Sequence, residues 1–170
     1  TIECPLYAFD ELGEWAERVT PSPYYPNPHI TMSETPLGKS VPQPPSAEEL
    51  ERRRLRNERG CGQALIGRLL KGCLDRVIEP MTEHAARQLL VDGGEVVGVV
   101  LDTPAGEQRV RARRGVVLAT GGFEWNEDLK RAFLRGPLTH PVSIQTNTGD
   151  GLKMAMKAGA MLSNMREAWW

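Results

Sequence analysis

The chain has 170 residues, 40% of them apolar and 25% charged, which is the composition of a globular protein with enough material for a real core. Lys+Arg 21 against Asp+Glu 22 leaves a formal charge of -1, too small a field to draw in nucleic acid or an anionic membrane surface. The apolar runs are too short to cross a bilayer, and TIECPLYAFDELGEW lacks a basic start with an apolar stretch behind it, so neither a membrane span nor a secretory leader is expected.

Cys4, Cys61 and Cys73 are widely spaced with no CxxC, which predicts reduced thiols of a cytoplasmic protein and no metal site. His29, His84 and His140 stand far from one another and from any cysteine pair, so each is expected to be solvated or satisfied by a neighbour.

Along the chain, Leu12 with Trp15 or Ala16 sits at helical spacing, predicting a short helix over Ala8–Glu17. Val19 to Pro45 is dense in proline, which removes backbone donors and holds the chain extended; a loop of this length is expected to be mobile or functional. Ser46 and Glu49 have the spacing of a reciprocal cap, so a helix should open at Ala47. Its continuation, ELERRRLRNERG, is charged almost all round and reads as a solvated face or one that covers a partner domain, until Gly60 and Gly62 break it. Ile66, Leu69, Leu70, Cys73 and Leu74 then form one apolar stripe on a helix over Gln63–Arg76, predicted to be core.

Short β-rich runs follow at Val77–Met81, Ala85–Val91, Glu95–Asp102, Gln108–Arg111 and Val116–Ala119, separated by DGG and TPAG turns. They predict hairpins leading into one fully buried strand. Asn126 is suited to cap a helix reaching Leu134, which Arg135-Gly136-Pro137 stops. After a loop, Leu152, Ala155, Met156 and Gly159 mark a further helix opening at Thr148 or Gly149.

Two glycine turns invite chemistry. The first, Ala119-Thr120-Gly121-Gly122, ends the predicted buried strand, where a ligand can pack directly on backbone; a plain tight turn is the alternative. The second, Thr146-Asn147-Thr148-Gly149-Asp150-Gly151, precedes a helix whose unpaired N–H groups can cradle a polar ligand edge. Asp150 would repel a phosphate there, so it suits sugar or polyol hydroxyls, or simply favours the helix dipole.

The segments GQALIGRLL, LLVDGGEVVGVVLD, GVVLATGGFEWN and TNTGDGLKMAMKAGAMLSNM, in that order across residues 62–170, resemble the FAD-dependent fumarate reductase and 3-ketosteroid Δ1-dehydrogenase superfamily. SPYYP and PPSAEELERRR are similar, more loosely, to a loop and helix of its ketosteroid dehydrogenase branch. The resemblance implies an α/β fold: a partial Rossmann-like FAD-binding domain with a small antiparallel β layer and flanking helices. It implies a proline-rich loop and charged helix over residues 1–60, the partial FAD-binding domain over 61–168, and the start of a capping domain at 169–170.

By the same resemblance Ala119, Thr120, Gly121 and Gly122 would lie against FAD, Gly149, Asp150 and Gly151 would approach its ribityl or pyrophosphate region, and Ala86 would contact adenine through its backbone. Hydride exchange with a C–C bond of a ketosteroid-like or fumarate-like small molecule is the implied reaction. Tyr24 and Tyr25 are candidates for proton transfer, with aromatic packing in their loop as the alternative, and Trp169 and Trp170 offer apolar faces to a flat substrate or to a domain junction.

One departure stands out. No GxGxxG turn occurs in the 170 residues, and Gly60-Cys61-Gly62 follows a charged helix rather than a strand. The sequence therefore reads as a segment of a larger flavoprotein whose remainder, or a second chain, completes the site. A non-catalytic nucleotide-binding or assembly module remains the alternative.

Overall fold

A computed structural model describes residues 3–22, 24 and 27–168. The chain divides into two compact units, Thr1–Pro80 and Met81–Trp170.

In the first unit, β1 (Tyr7–Ala8) pairs antiparallel with β2 (Glu58–Arg59), Tyr7 opposite Arg59. The predicted first helix forms as a 3-10 segment, Phe9–Arg18, interrupted at Gly13 (φ 57°, ψ -133°). Tyr7, Phe9, Leu12, Trp15 and Ala16 make the core with Ala64 of helix α2 (Cys61–Leu74), and Leu70 and Leu74 pack against them. The sequence predicts Ile66 and Leu69 in this core, yet they are 51% and 59% exposed. α2 instead turns a face of small residues inward. Ala64 is fully buried, and a Cβ on Gly67 would come within 2.8 Å of the Tyr7 ring, so the aromatic rings occupy the space that bulky side chains would need.

Helix α1 (Ala47–Leu55) opens as predicted, with Ser46 Oγ accepting from the Glu49 N–H at 3.1 Å. Glu49 does not reach back; its carboxylate takes hydrogen bonds from Arg52 and Arg53. Nor is the helix solvated all round, because Arg53 is only 7% exposed. Its guanidinium forks onto Glu34 (2.8 and 2.9 Å) and donates to the His29 carbonyl (2.9 Å), so its charge is compensated inside the unit. The proline-rich stretch contains a 3-10 turn, Met32–Glu34, and Glu34 also accepts from the Thr31 N–H at 2.8 Å.

Val77–Met81 forms no strand. The N–H groups of Val77 and Ile78 bind the carbonyls of Leu74 and Cys73, closing the end of α2, and Val77 takes φ 57° in doing so.

In the second unit, β3 (Ala85–Asp92), β4 (Glu95–Thr103) and β5 (Gly106–Arg111) form an antiparallel meander in that order. Asp92 faces Glu95 across Gly93 and Gly94, both at positive φ (57° and 86°), the backbone that a two-residue hairpin turn needs. Residues 115–119 continue from β5 in no ladder, and Val117 is 91% exposed, where a fully buried strand is predicted. Among the described residues no strand lies beside this run to complete its hydrogen bonds. Helix α3 (Glu127–Phe133) is capped by Asn126, whose Oδ1 accepts from the Leu129 N–H at 3.0 Å. Helix α4 (Asp150–Lys157) packs on β3, with Met154 and Leu89 buried.

These mixed helices and small antiparallel layers match the expected α/β architecture.

Candidate functional site

The two glycine turns meet in the second unit. The Gly149 N–H donates to the Gly122 carbonyl at 3.0 Å, and the Trp125 N–H to the Asn147 carbonyl at 3.1 Å. Gly149 is the residue before α4 and sits at φ 77°, ψ 24°, with no side chain to occupy the first-turn N–H groups of the helix. Packing explains several glycines. A Cβ at Gly151 would collide with Thr120 Oγ1, one at Gly121 with Asn147 Oδ1, and one at Gly149 with Leu129 and with Phe123 Cβ. The clearance predicted for a ligand is therefore shared with close approach of one turn to the other.

What remains open is the outer side. Ala119, Thr120, Gly121 and Asp150 are exposed, while Gly149 and Gly151 are buried beneath them. Asp150 Oδ2 accepts from the Thr148 hydroxyl at 3.0 Å, and Lys153 Nζ lies 3.7 Å from Oδ1. Ala86 is half-buried near the start of β3, opposite Leu101. Its neighbour Arg87 is bound to Asp102 at 2.7 Å.

A closed ring of hydrogen bonds lies behind the turns. Asn147 Nδ2 donates to Glu124 Oε1 at 2.8 Å, the Ser143 hydroxyl donates to the same carboxylate, and Trp125 Nε1 donates to Ser143 O (3.1 Å) and Oγ (3.2 Å). Burial would raise the Glu124 carboxyl, but the donors Ser143 and Asn147 and its own N–H outweigh burial and hold it below the ordinary carboxylate range. Glu124 lines a cavity of about 550 Å³ together with Phe123, Leu134, Leu138, Pro141 and Val142. Sequence reasoning did not single out Glu124, Trp125 or Ser143, and it named Asn147 only as a member of the second turn. Their signal is mutual contact across 18 to 23 residues, which no local pattern carries.

Tyr24, in the first unit, is 45% exposed, and its N–H donates to Ser22 Oγ at 3.2 Å. Tyr25, Trp169 and Trp170 lie outside the described residues. The histidines are satisfied locally, with Nδ1 of His29, His84 and His140 at 2.7, 2.7 and 2.8 Å from Glu58 O, Thr82 O and Thr139 Oγ1. Among the described residues no cluster of three or more His, Cys, Asp or Glu could hold a metal ion, and no helix is long and apolar enough to cross a membrane.

The open edge offers uncapped helix N–H groups, small side chains that let a flat molecule reach backbone, and one carboxylate suited to hydroxyl donors. That donor set fits the hydroxyl-bearing part of a flavin nucleotide, whereas Asp150 opposes a phosphate at the same place.

The chain belongs to the FAD binding domain family, whose model matches residues 8–170. Within it, the chain is 45% identical over 119 residues to a 3-oxosteroid 1-dehydrogenase of Mycobacterium tuberculosis, a match covering 65% of this chain and 21% of that protein. It is 40% identical over 115 residues to the 4-oxocyclohexanecarboxylate 2-dehydrogenase of Sinomonas cyclohexanicum, covering 64% and 20%. The fold superposes on a 3-ketosteroid Δ1-dehydrogenase crystal structure from Sterolibacterium denitrificans with a TM-score of 0.75 at 24% identity, over 99% of this chain and 34% of that one. The chain thus spans only about a fifth of the length of the curated relatives it matches.

Proposed function

We propose that this chain is a segment of a flavin-dependent oxidoreductase that exchanges hydride with a C–C bond of a ketosteroid-like or fumarate-like small molecule. The observation that carries the reading is the apposition of the Ala119–Gly122 turn with the bare start of α4, joined through the Gly149 N–H and Gly122 carbonyl. When bound, FAD supplies the two-electron chemistry; the protein orients it and sets its surroundings.

In this reading Ala119, Thr120, Gly121 and Gly122 give the flavin nucleotide a side-chain-free floor. Asp150, flanked by Gly149 and Gly151, accepts from its hydroxyls, and the Ala86 backbone meets the adenine. Tyr24 or Tyr25 handles the proton, and Trp169 and Trp170 line the substrate. The phosphate cradle comes from the remainder of the flavoprotein or from a second chain. Exposed apolar residues support such a partner: Leu65, Ile66 and Leu69 on α2, and Val117 after β5, are 51% exposed or more.

The test is spectroscopic. The whole protein is expected to purify yellow or to take up FAD, and an anaerobic 3-oxosteroid is expected to bleach the bound flavin. A fumarate-like acid that instead reoxidises the reduced flavin would choose the second substrate class. Colourless protein that takes up no added FAD would reject the proposal.

A further inference from the structure

We propose that Asn147 is a positioning residue for the flavin turn, acting through Glu124; the inference rests on reading Ala119–Gly122 as that turn. Asn147 meets the turn at Gly121 and the two residues Glu124 and Trp125 that follow it. Its carbonyl accepts from the Trp125 N–H at 3.1 Å, its amide donates to Glu124 Oε1 at 2.8 Å, and its Oδ1 stands close enough to collide with a Cβ on Gly121. Glu124 in turn places Oε2 against Gly122, where a Cβ would collide with it. The two side chains therefore brace both glycines of the turn from behind, and the absence of Cβ atoms is what lets them do so.

The brace also decides where a negative charge points. Glu124 carries an ionised carboxylate next to a turn assigned to an anionic dinucleotide. Held by Asn147 and Ser143, that charge stays in the wall of the 550 Å³ cavity. Without the Asn147 amide one oxygen loses its donor, and the flexible Glu124 side chain is free to seek water beside the bound anion. Unscreened repulsion between charges near a surface is strong enough to alter affinity, and salt weakens it. The structural loss of a hydrogen bond shows no such salt dependence, which separates positioning of charge from mere support of the fold.

A double-mutant cycle on the whole flavoprotein tests this, read as the FAD dissociation constant by quenching of flavin fluorescence at low and high salt. Asn147→Ala is expected to weaken FAD binding about tenfold at low salt, as repulsion from a freed carboxylate near the surface implies, and less at high salt. Glu124→Gln, whose amide can still pair with the Asn147 amide, is expected to stay within about threefold of the parent. In the Glu124→Ala background, removing Asn147 is expected to cost about twofold or less. If Asn147→Ala does not accumulate as folded protein, Asn147→Ser enters the same cycle. Equal losses with Glu124 present or absent, no loss from the Asn147 variants, or a loss indifferent to salt would each overturn the inference. A parent protein that takes up no FAD overturns the flavin reading itself.

Discussion

Replacing Gly149 by alanine tests the apposition of the two turns, because two independent costs converge there. Its φ of 77° is a left-handed conformation that an L side chain adopts at about 1–2 kcal/mol. The new Cβ would also collide with Leu129 Cδ1 and lie 2.9 Å from Phe123 Cβ. Leu129 can rotate away, but Phe123 Cβ is fixed to the backbone, and overpacking of this kind costs about 1–3 kcal/mol. The sum is about 2–5 kcal/mol, or a Tm lowered by about 4–20 °C for a chain of this size. Gly159, in the same unit, is the control: its φ is 86° but nothing lies within 4 Å of a Cβ there, so Gly159→Ala carries the conformational cost alone. Thermal unfolding followed by near-ultraviolet circular dichroism should place Gly149→Ala about 2–12 °C below Gly159→Ala. Equal shifts would mean that the turns are not packed together and that the site is wrongly built.

Glu49 is held down to about 2 by hydrogen bonds from Arg52 and Arg53, so its bonds stabilise α1 above the ordinary 4.5 and are lost as pH falls from there towards about 2. Carboxyl chemical shifts should titrate with a midpoint near 2, and an ordinary midpoint would show the ion pairs absent in solution. Arg53→Met leaves the half-buried Glu34 carboxylate without its guanidinium and should cost about 3 kcal/mol by urea unfolding, with loss below about 0.5 contradicting the buried ion pair. Trp125→Phe removes the indole donor to Ser143 and should cost about 1 kcal/mol; an unchanged Tm would remove Trp125 from the ring of hydrogen bonds.

Much of the second unit was legible because its signals are local. Asp92-Gly93-Gly94-Glu95 fixes a hairpin by φ alone, Asn126 caps α3 with its own side chain, and the spacing of Leu152 and Ala155 marks α4, although Met154 is buried there and Met156 is exposed. Misreadings arose where tertiary contact decides. The face of α2 is chosen by the Tyr7 and Phe9 rings, which require Ala64 and Gly67 rather than the larger Ile66 and Leu69. Arg53 is buried because Glu34 and the His29 carbonyl come from a loop about 20 residues away. Val116–Ala119 is apolar enough for a buried strand, but apolar sequence does not supply the neighbouring ladder, and Val117 is left exposed. The site shows the same division. Its glycines and Asp150 are visible as motifs, whereas the Glu124–Asn147 brace exists only once the turns meet.

Hydrogen–deuterium exchange on the whole flavoprotein, stripped of FAD and then reloaded, addresses the proposed cofactor face most directly. Reloading should slow exchange in peptides covering 119–122 and 147–152 more than in the β3–β5 meander away from Ala86. Protection confined to other parts of the protein, with those two stretches exchanging equally fast with and without FAD, would contradict the account.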